Sequence, residues 1–245
     1  MRSRAPASLV DAASACYGDS GRFAWHFARG KLGGDPVFTT ILAQGLLDGC
    51  AQVLDLGCGQ GLLAAWLVAA RAEYATPGAW PQDWPAPPHL DRYTGVEINA
   101  HEVARARAAG ARLGATRCLI VHGDVRHVDY LEADAIVILD VLHYMDRASQ
   151  ESVLARARSV LAPGGRLLLR VADAAGGAGF TASRIVDTVV ALARHHRLIR
   201  LHCRPLHEWL AVLARAGFSA RVVAENRGAA FSNVVLLAQP ASKRV

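Results

Sequence analysis

The sequence predicts an α/β fold in which a mostly parallel sheet is covered by helices on both faces. Apolar runs without alternation, typical of strands that are buried on both faces, alternate with helical stretches along the chain. One such run (53–56) leads into a turn with glycine at alternate positions (57–61) and then into a helix rich in alanine and leucine (62–72). With 245 residues and 52% hydrophobic composition, the chain suits one large α/β domain or two small ones.

Composition argues against several classes of protein. The net charge of +6 is spread as arginines along predicted helices, which favours a solvated surface over a nucleic-acid patch. The apolar run 62–70 is far shorter than the ~20 residues that span a bilayer, so no membrane span is expected. Asp11 interrupts the apolar stretch near the N-terminus, so we predict no signal peptide.

The cysteines indicate a reducing compartment, and we expect the protein in the cytoplasm. They are odd in number, far apart and without a C-x-x-C pair, so neither a disulfide framework nor a zinc site is predicted. They are Cys16, Cys50, Cys58, Cys118 and Cys203. A histidine-rich stretch (195–207) lacks H-E-x-x-H and is interleaved with arginines, so we predict no metal site there.

Residues 1–47 are predicted to form a helical segment ahead of the glycine turn. A short helix is expected over 9–17, and a later one begins where Asp35 caps a helix that has Pro36 at its first position. The aromatic residues between these helices leave two interpretations open. Either they pack on the core, or the segment forms a lid or a wall over a substrate site. These aromatic residues are Phe23, Trp25 and Phe27.

The glycine turn carries the strongest functional signal in the chain. Its spacing is G-x-G-x-G rather than the G-x-G-x-x-G of dinucleotide-binding folds, and Asp55 comes just before it. A carboxylate at this place gives nothing to a pyrophosphate, but it would attract an ammonium or sulfonium group. The stretch VLDLGCGQG (53–61) resembles motif I of the class I S-adenosylmethionine (SAM)-dependent methyltransferases. The same spacing disfavours a nicotinamide-dependent oxidoreductase.

A proline-rich insertion (74–91) separates this unit from the second strand (93–99), because its prolines forbid regular structure. The strand contains Glu97 near its carboxyl end, where a carboxylate can accept both hydroxyls of a ribose. In the resemblance Glu97 is the ribose-binding acid, and Ile98 follows it at the donor site. The insertion accounts for the long spacing between the glycine turn and Glu97.

The third strand (117–122) leads into Gly123-Asp124-Val125. The methyltransferases that the chain resembles have an acid here that binds the exocyclic amine of adenine. The resemblance therefore assigns Asp124 to the amine and Val125 to the face of the base. Asp124 could also cap the next short helix, and one residue could do both.

The fourth strand is an apolar run (136–139) that ends in D-V-L-H-Y (140–144). This form resembles small-molecule O-, N- and C-methyltransferases. Enzymes that methylate exocyclic base or amide nitrogens tend to carry [DN]-P-P-[YF], which the sequence does not contain. The resemblance thus implies a small-molecule acceptor, with Asp140 and Leu142 at the donor site.

A hydroxyl or amide acceptor also needs a base. Histidine titrates near neutrality, and His143 follows the fourth strand at the end where sites lie in such folds. We predict His143 as the base, with Tyr144 and His26 in reserve. The alternative is that His143 is structural and only packs on the ligand.

The carboxyl-terminal half is predicted to complete the sheet and to close it with an antiparallel hairpin. L-x-P-G-G (161–165) precedes the fifth strand, as in the family, and the glycine-rich loop 172–180 carries Asp173 as a candidate substrate contact. Gly217-Phe218 after an amphipathic helix resembles the usual family ending. The expected elements are helices 148–161 and 183–194, strands 166–171, 218–224 and 231–238, and a turn at 226–228.

Over residues 48–240 the resemblance implies a Rossmann-like class I methyltransferase fold with seven strands, followed by a short tail (241–245). It implies SAM as the cofactor, S-adenosylhomocysteine (SAH) as the product and in-line transfer of a methyl group. The implied cofactor-binding residues are Asp55, Gly57, Cys58, Gly59, Gly61, Glu97, Ile98, Asp124, Val125, Asp140 and Leu142.

The acceptor is expected to be a small lipophilic or phenolic molecule, with O-methylation favoured. Aromatic residues near the N-terminus and an apolar region at 180–200 support this expectation. The segment 23–38 bears a faint likeness to methyltransferases associated with bacterial aryl-polyene pigments. Two other functions stay open, namely methylation of RNA or another nucleic acid and SAM binding without catalysis. The chain could form a homodimer.

Overall fold

The computed structural model describes residues 5–114, 117–174, 201–228 and 231–241. The helices described are α1 (Ala7–Ala15), α2 (Arg22–Gly34), α3 (Pro36–Ala43), α4 (Leu62–Tyr74), α5 (Ala100–Gly110), α6 (Arg147–Val160) and α7 (Leu206–Arg215). The strands are β1 (Gln52–Leu56), β2 (Arg92–Glu97), β3 (Arg117–His122), β4 (Ala133–Leu139), β5 (Leu161–Ala172), β6 (Phe218–Gly228) and β7 (Phe231–Pro240). Single 3₁₀ turns lie at Gly18–Ser20 and Leu142–Tyr144.

The strands form one seven-stranded sheet in the order β3-β2-β1-β4-β5-β7-β6. The pairs β1–β2 and β2–β3 are parallel, whereas β5–β7 and β6–β7 are antiparallel. This arrangement confirms the predicted Rossmann-like fold with its carboxyl-terminal antiparallel hairpin. Two compact units divide the chain, Met1–Ile136 and Val137–Val245.

In the first unit, β1 and α4 are built from strongly apolar segments of the sequence. Leu54 pairs with Thr94 of β2, and both are buried. Trp66 on α4 is fully buried, and its indole N–H donates to the carbonyl of Phe38 on α3 at 2.9 Å. As predicted, Asp35 caps α3, since its carboxylate accepts from the N–H of Val37 at 3.1 Å. Helix α3, which precedes β1, is thus hydrogen-bonded to α4.

The aromatic residues of α2 differ in exposure, since Phe23 is exposed whereas Trp25 and Phe27 are half-buried. The buried face of this helix consists of Ala24, Ala28 and Leu32. Phe23 is 68% exposed and stacks on Phe27, with their ring centroids 6.2 Å apart. The Arg105 guanidinium lies over the Phe23 ring, 5.4 Å from its centroid, and both interpretations of the aromatic segment stay open.

The proline-rich insertion folds onto itself without regular structure. Trp84 is 7% exposed, and the indole N–H of Trp80 donates to the carbonyl of Pro85 at 3.1 Å. The two tryptophan rings meet edge to face, and Tyr74 at the end of α4 meets Trp80 in the same way. Aromatic packing of this kind holds the loop where its prolines exclude a strand or a helix.

In the second unit, Asp146 caps α6 by accepting from the N–H of Ser149 at 2.8 Å. Strand β5 begins at Leu161 and so includes the segment 161–165, which the sequence predicted as a turn ahead of the strand. Strand β6 likewise runs to Gly228, through the predicted turn at 226–228, and Gly228 pairs with Phe231 of β7. The predicted helix 183–194 lies outside the described residues.

Within the described ranges, no helix is both long and apolar enough to cross a membrane.

Candidate active site

The glycine turn after β1 requires glycine at each of its three glycine positions. Gly57, Gly59 and Gly61 have φ values of 83°, 55° and 80°, which lie in the left-handed region that other residues rarely adopt. A Cβ on Gly61 would lie 3.4 Å from the Cβ of Ala106 on α5, whereas a Cβ on Gly59 would meet no protein atom within 4 Å. Gly59 therefore presents bare backbone on an open side of the turn.

Four N–H groups of this turn (57–61) donate to acceptors within the protein. Gly57 and Cys58 both donate to the carbonyl of Val96 on β2, at 2.8 and 3.0 Å. Gly59 donates to the carboxylate of Glu97 at 3.0 Å. Gly61 donates to the carbonyl of Cys58 at 3.0 Å. A pyrophosphate binds through backbone N–H donors that are not engaged elsewhere. This turn therefore suits a ligand that contacts the backbone closely and does not need those donors.

Asp55 is a buried carboxyl group directly before the turn. Its side chain belongs to a residue that is only 4% exposed, and it accepts a 2.5 Å hydrogen bond from the Tyr93 hydroxyl on β2. Burial raises the pKa of Asp55 to about 7, the Tyr93 hydrogen bond lowers it, and the nearby charge of Glu97 adds to the rise. Such a site favours a cation, because a positive ligand stabilises the ionised carboxylate.

Glu97 joins the end of β2 to the glycine turn. Its Oε2 accepts from Gly59, and its Oε1 accepts from the N–H of Asn99 at 2.8 Å. Each carboxylate oxygen has two lone pairs, so both oxygens can still accept from a ligand. A carboxylate that is fixed in this way fits the two hydroxyls of a ribose. Ile98, the next residue, is 53% exposed and provides an apolar surface beside it.

Cys58 faces the sheet rather than the open side of the turn. A Cβ on Gly95 of β2 would lie 2.6 Å from its Sγ, so Cys58 fills the space that glycine leaves there. Burial raises the pKa of the Cys58 thiol well above its usual range. The Cys58 side chain therefore packs against β2, and the Cys58 backbone is the part that can face a ligand.

Asp124 lies after β3 and forms an ion pair with Arg126. The guanidinium Nε is 3.0 Å from both carboxylate oxygens, and the Arg126 N–H donates to Oδ1 at 2.9 Å. These hydrogen bonds hold the pKa of Asp124 below its usual range. The following residues form a turn rather than a helix, and Val125 is buried within it. The assignment of Asp124 to an adenine amine stays a prediction.

The amino-terminal helices are bonded to the glycine turn through Gln60, which sequence reasoning missed. The Tyr17 hydroxyl donates to the Gln60 carbonyl at 3.0 Å, and the Gln60 side-chain amide donates to the carbonyl of Ala24 on α2 at 3.1 Å. The sequence signal that could have revealed this role is a glutamine within the glycine turn. His26, two residues after Ala24, is exposed, and its ring meets that of Trp25 at 4.8 Å.

In the second unit, Asp140 follows β4 with a φ of 59° and is held by Arg170 of β5. The Arg170 Nε donates to Oδ1 of Asp140 at 2.8 Å, its NH2 group bonds Oδ2, and the Asp140 N–H donates to the Arg170 carbonyl at 3.2 Å. Arg170 is 5% exposed. A single arginine inside the apolar run of β5 was the signal that sequence reasoning passed over.

The turn Leu142–Tyr144 carries the residue predicted as the base. Leu142 is fully buried and His143 is 4% exposed. The rings of His143 and Tyr144 lie 4.2 Å apart and are tilted by 55°. Asp173, predicted as a substrate contact, accepts from the N–H of Leu206 at the start of α7, at 3.1 Å, and its contact with a substrate stays a prediction.

Comparison with known proteins gives a family match over the central part of the chain. Residues 54–167 match the family described as "Methyltransferase domain". A carboxy-S-adenosyl-L-methionine synthase from Chromohalobacter salexigens is 35% identical over 130 residues. That match covers 53% of this chain and 43% of the relative, so it spans less than half of the relative's length.

Solved structures share the fold. An O-methyltransferase family protein from Burkholderia thailandensis has a TM-score of 0.64 at 17% identity, with 100% of this chain and 66% of that chain covered. Magnesium protoporphyrin IX methyltransferase from Synechocystis PCC 6803, solved with bound SAH, has a TM-score of 0.59 at 21% identity, covering 93% and 91%. Mitomycin 7-O-methyltransferase has a TM-score of 0.57 at 24% identity, covering 96% and 61%.

Residues 54–167 match the methyltransferase family, and the fold agrees with that of the class I SAM-dependent methyltransferases, which the motif VLDLGCGQG resembles.

Proposed function

We propose that this protein transfers a methyl group from SAM to a small-molecule acceptor. The observation that carries this proposal is the combination of an acid pair, Asp55 and Glu97, with a glycine turn in which four N–H groups donate within the protein. Two carboxyl groups beside the turn suit a donor with a cationic sulfonium, an ammonium and a ribose. They oppose a dinucleotide, whose phosphates need N–H donors and are repelled by carboxylates.

Each part of the donor has a group of fitting chemistry in the first unit. Asp55 and the backbone of Gly57–Gly61 would hold the methionine end, and Glu97 would accept from the ribose hydroxyls. Ile98 and Val125 would contact the base, with Asp124 at its amine. The fixed carboxylate of Glu97, the open side of Gly59 and the exposed apolar side chain of Ile98 support the roles proposed for these three residues.

Bound SAM supplies a methyl group already activated by the positive sulfur. The chain then has to bind and align the acceptor and exclude water, and alignment of this kind can contribute ~7–11 kcal/mol to lowering a barrier. For a hydroxyl acceptor, His143 would take the proton at a ring nitrogen as the acceptor oxygen attacks. Its burial beside Tyr144 keeps the ring in one orientation. Tyr144 and His26 are the reserve candidates.

O-methylation of a lipophilic or phenolic molecule is the acceptor chemistry we favour. Structures of the same fold include a mitomycin 7-O-methyltransferase and an O-methyltransferase family protein. On this chain, the outward aromatic side of α2 with Phe23 and Phe27 would offer flat apolar contact to a ring.

A second candidate rests on the relative that is named as a carboxy-S-adenosyl-L-methionine synthase. An activity of that kind would alter the donor itself rather than methylate an acceptor. The two candidates share the donor site and differ in the product.

Incubation of the full chain with methyl-labelled SAM and a panel of phenols tests the proposal, with mass spectrometry of all products. We expect a phenol that gains one methyl group together with stoichiometric SAH, and loss of both products in Glu97→Ala. A changed mass of the donor without any methylated acceptor would favour the second candidate. Donor binding without either product would contradict both.

A further inference from the structure

One glutamine in the second unit holds three backbone carbonyls at and beside the turn that carries His143. The Gln150 amide nitrogen on α6 lies 3.1 Å from the carbonyls of Leu142 and Met145 and 2.7 Å from that of His202, so its two N–H groups are shared among three carbonyls. The His202 N–H in turn donates to the His143 carbonyl at 2.8 Å. The carbonyls of three of the four residues 142–145 are therefore fixed, two by Gln150 directly and one through His202.

Arg204 fixes the orientation of that amide. Its Nε donates to the Gln150 Oε1 at 2.7 Å, and its NH2 group donates to the Arg147 carbonyl at 3.1 Å and to Glu151 at 3.0 Å. A guanidinium accepts no hydrogen bond, so the oxygen of the amide must face Arg204 and the nitrogen must face the three carbonyls. Gln150 is fully buried and Arg204 is 4% exposed.

These hydrogen bonds are more than α6 needs for its own stability. Asp146 already caps α6 at its amino end, and a leucine or methionine at position 150 would fill the same volume without any polar partner. A buried amide with every polar group satisfied instead fixes one geometry, because each alternative position of the turn leaves a buried group unpaired. The turn that it fixes holds the His143 imidazole, which is itself 4% exposed.

We infer that Gln150 is a positioning residue for the reaction, oriented by Arg204, and that it acts through the turn 142–145 to hold the His143 ring in place. The catalytic part of this role rests on the proposed function, in which His143 is the base. The fixing of the turn does not, so the two parts can fail separately.

The test measures how fast diethyl pyrocarbonate modifies His143, which needs no acceptor. The rate is followed by mass spectrometry of the His143 peptide in the full chain, with exposed His26 as the internal reference. The variants are Gln150→Met, which keeps the volume, and Arg204→Met, which frees the amide to turn. Leu154→Ala is the matched control, because Leu154 is fully buried on the same helix and its loss creates a cavity without removing these hydrogen bonds.

We expect the His143 rate to rise at least five-fold in Gln150→Met and at least two-fold in Arg204→Met, with His26 unchanged. Leu154→Ala should lower the unfolding midpoint and leave the His143 rate at the wild-type value. If Gln150→Met does not fold, the His143 modification rate in Arg204→Met is the deciding measurement. Wild-type protection of His143 in a folded variant, or equal exposure in Leu154→Ala, would overturn the inference.

Turnover then separates positioning from stability. With the acceptor found in the phenol screen, Gln150→Met should lower kcat at least ten-fold and leave the KM for SAM within two-fold of wild type. An unchanged kcat with an exposed His143 would show that the turn is fixed as inferred but that His143 is not the base.

Discussion

The Tyr93 hydroxyl donates a 2.5 Å hydrogen bond to the carboxyl group of Asp55, one strand away in the parallel sheet. Both residues are buried, and the carboxyl group lies directly before the glycine turn. Burial raises the pKa of Asp55 to about 7, so this group changes its charge near neutral pH. In the proposed function, this acid would link donor binding to pH.

The affinity for SAM should depend on pH because SAM is cationic and prefers an ionised Asp55. We expect the association constant to rise about ten-fold between pH 5.5 and 8.5, with the midpoint near the pKa of about 7. Calorimetry across this range measures it. SAH lacks the sulfonium charge and should show a smaller slope. Asp55→Asn should remove the slope, and an equal slope in that variant would assign the pH dependence to another group.

The stability of the ligand-free protein should show the opposite trend. A raised pKa means that folded Asp55 keeps a proton that the unfolded chain releases above its usual value of 3.8. The stabilisation is therefore complete below about pH 4 and is lost as the pH rises through about 7. At ~1.4 kcal/mol per pKa unit, urea unfolding of wild type should lose up to roughly 4 kcal/mol more than Asp55→Asn between pH 4 and 8. Parallel pH profiles for the two proteins would contradict this.

Glu97→Gln should weaken donor binding. The amide nitrogen cannot accept a hydrogen bond, so one of the bonds from Gly59 and Asn99 is lost along with one contact to a ribose hydroxyl. We expect a loss of about ten- to hundred-fold in affinity for both SAM and SAH, equivalent to ~1.4–2.8 kcal/mol. Glu132→Gln changes an exposed acid of the same unit and serves as the control. Equal affinities in the two variants would remove Glu97 from the donor site.

The Arg170–Asp140 pair should behave as a buried ion pair. Asp140→Asn leaves a guanidinium that is 5% exposed without its countercharge, which costs about 3–5 kcal/mol of unfolding free energy. Asparagine still tolerates the positive φ of position 140, so backbone strain does not add to the loss. In the double variant Asp140→Asn, Arg170→Met much of the stability should return. Additive losses in urea unfolding would show that the two side chains are not coupled.

His143→Asn should reduce turnover much more than it reduces donor binding. Loss of a general base typically costs about 10²–10⁴ in kcat, whereas the SAM affinity should stay within two-fold. His26→Asn, at an exposed position of the first unit, provides the comparison. A larger loss of kcat in His26→Asn than in His143→Asn would transfer the role of base to the amino-terminal segment.

Sequence predicted the fold and the glycine turn because their signals are local. Glycines at 57, 59 and 61 take the backbone angles that only glycine adopts readily, and Asp55 and Glu97 follow from their places at the strand ends. Strand ends were less predictable, since β5 and β6 both run through segments rich in turn-forming residues. In β6, residues 226–228 pair with β7, and this ladder provides hydrogen bonds that outweigh local preference.

The partners of these residues could not be predicted, because folding brings them from distant parts of the chain. Arg170 meets Asp140 and Arg204 meets Gln150 only once β5 and the segment before α7 are in place. In the sequence, Arg170, Arg204 and Gln150 belong to no recognisable motif. The aromatic residues of α2 were ambiguous for a related reason, since periodicity could not show that Ala24 and Ala28 form the buried face.

Calorimetric titration of the full chain with SAM, SAH and NAD⁺ tests the central claim most directly. We predict micromolar binding of SAM and SAH, at least ten-fold weaker binding of both in Glu97→Ala, and no heat with NAD⁺. Binding of NAD⁺ without SAM, or SAM binding that Glu97→Ala leaves unchanged, would contradict the donor site described here.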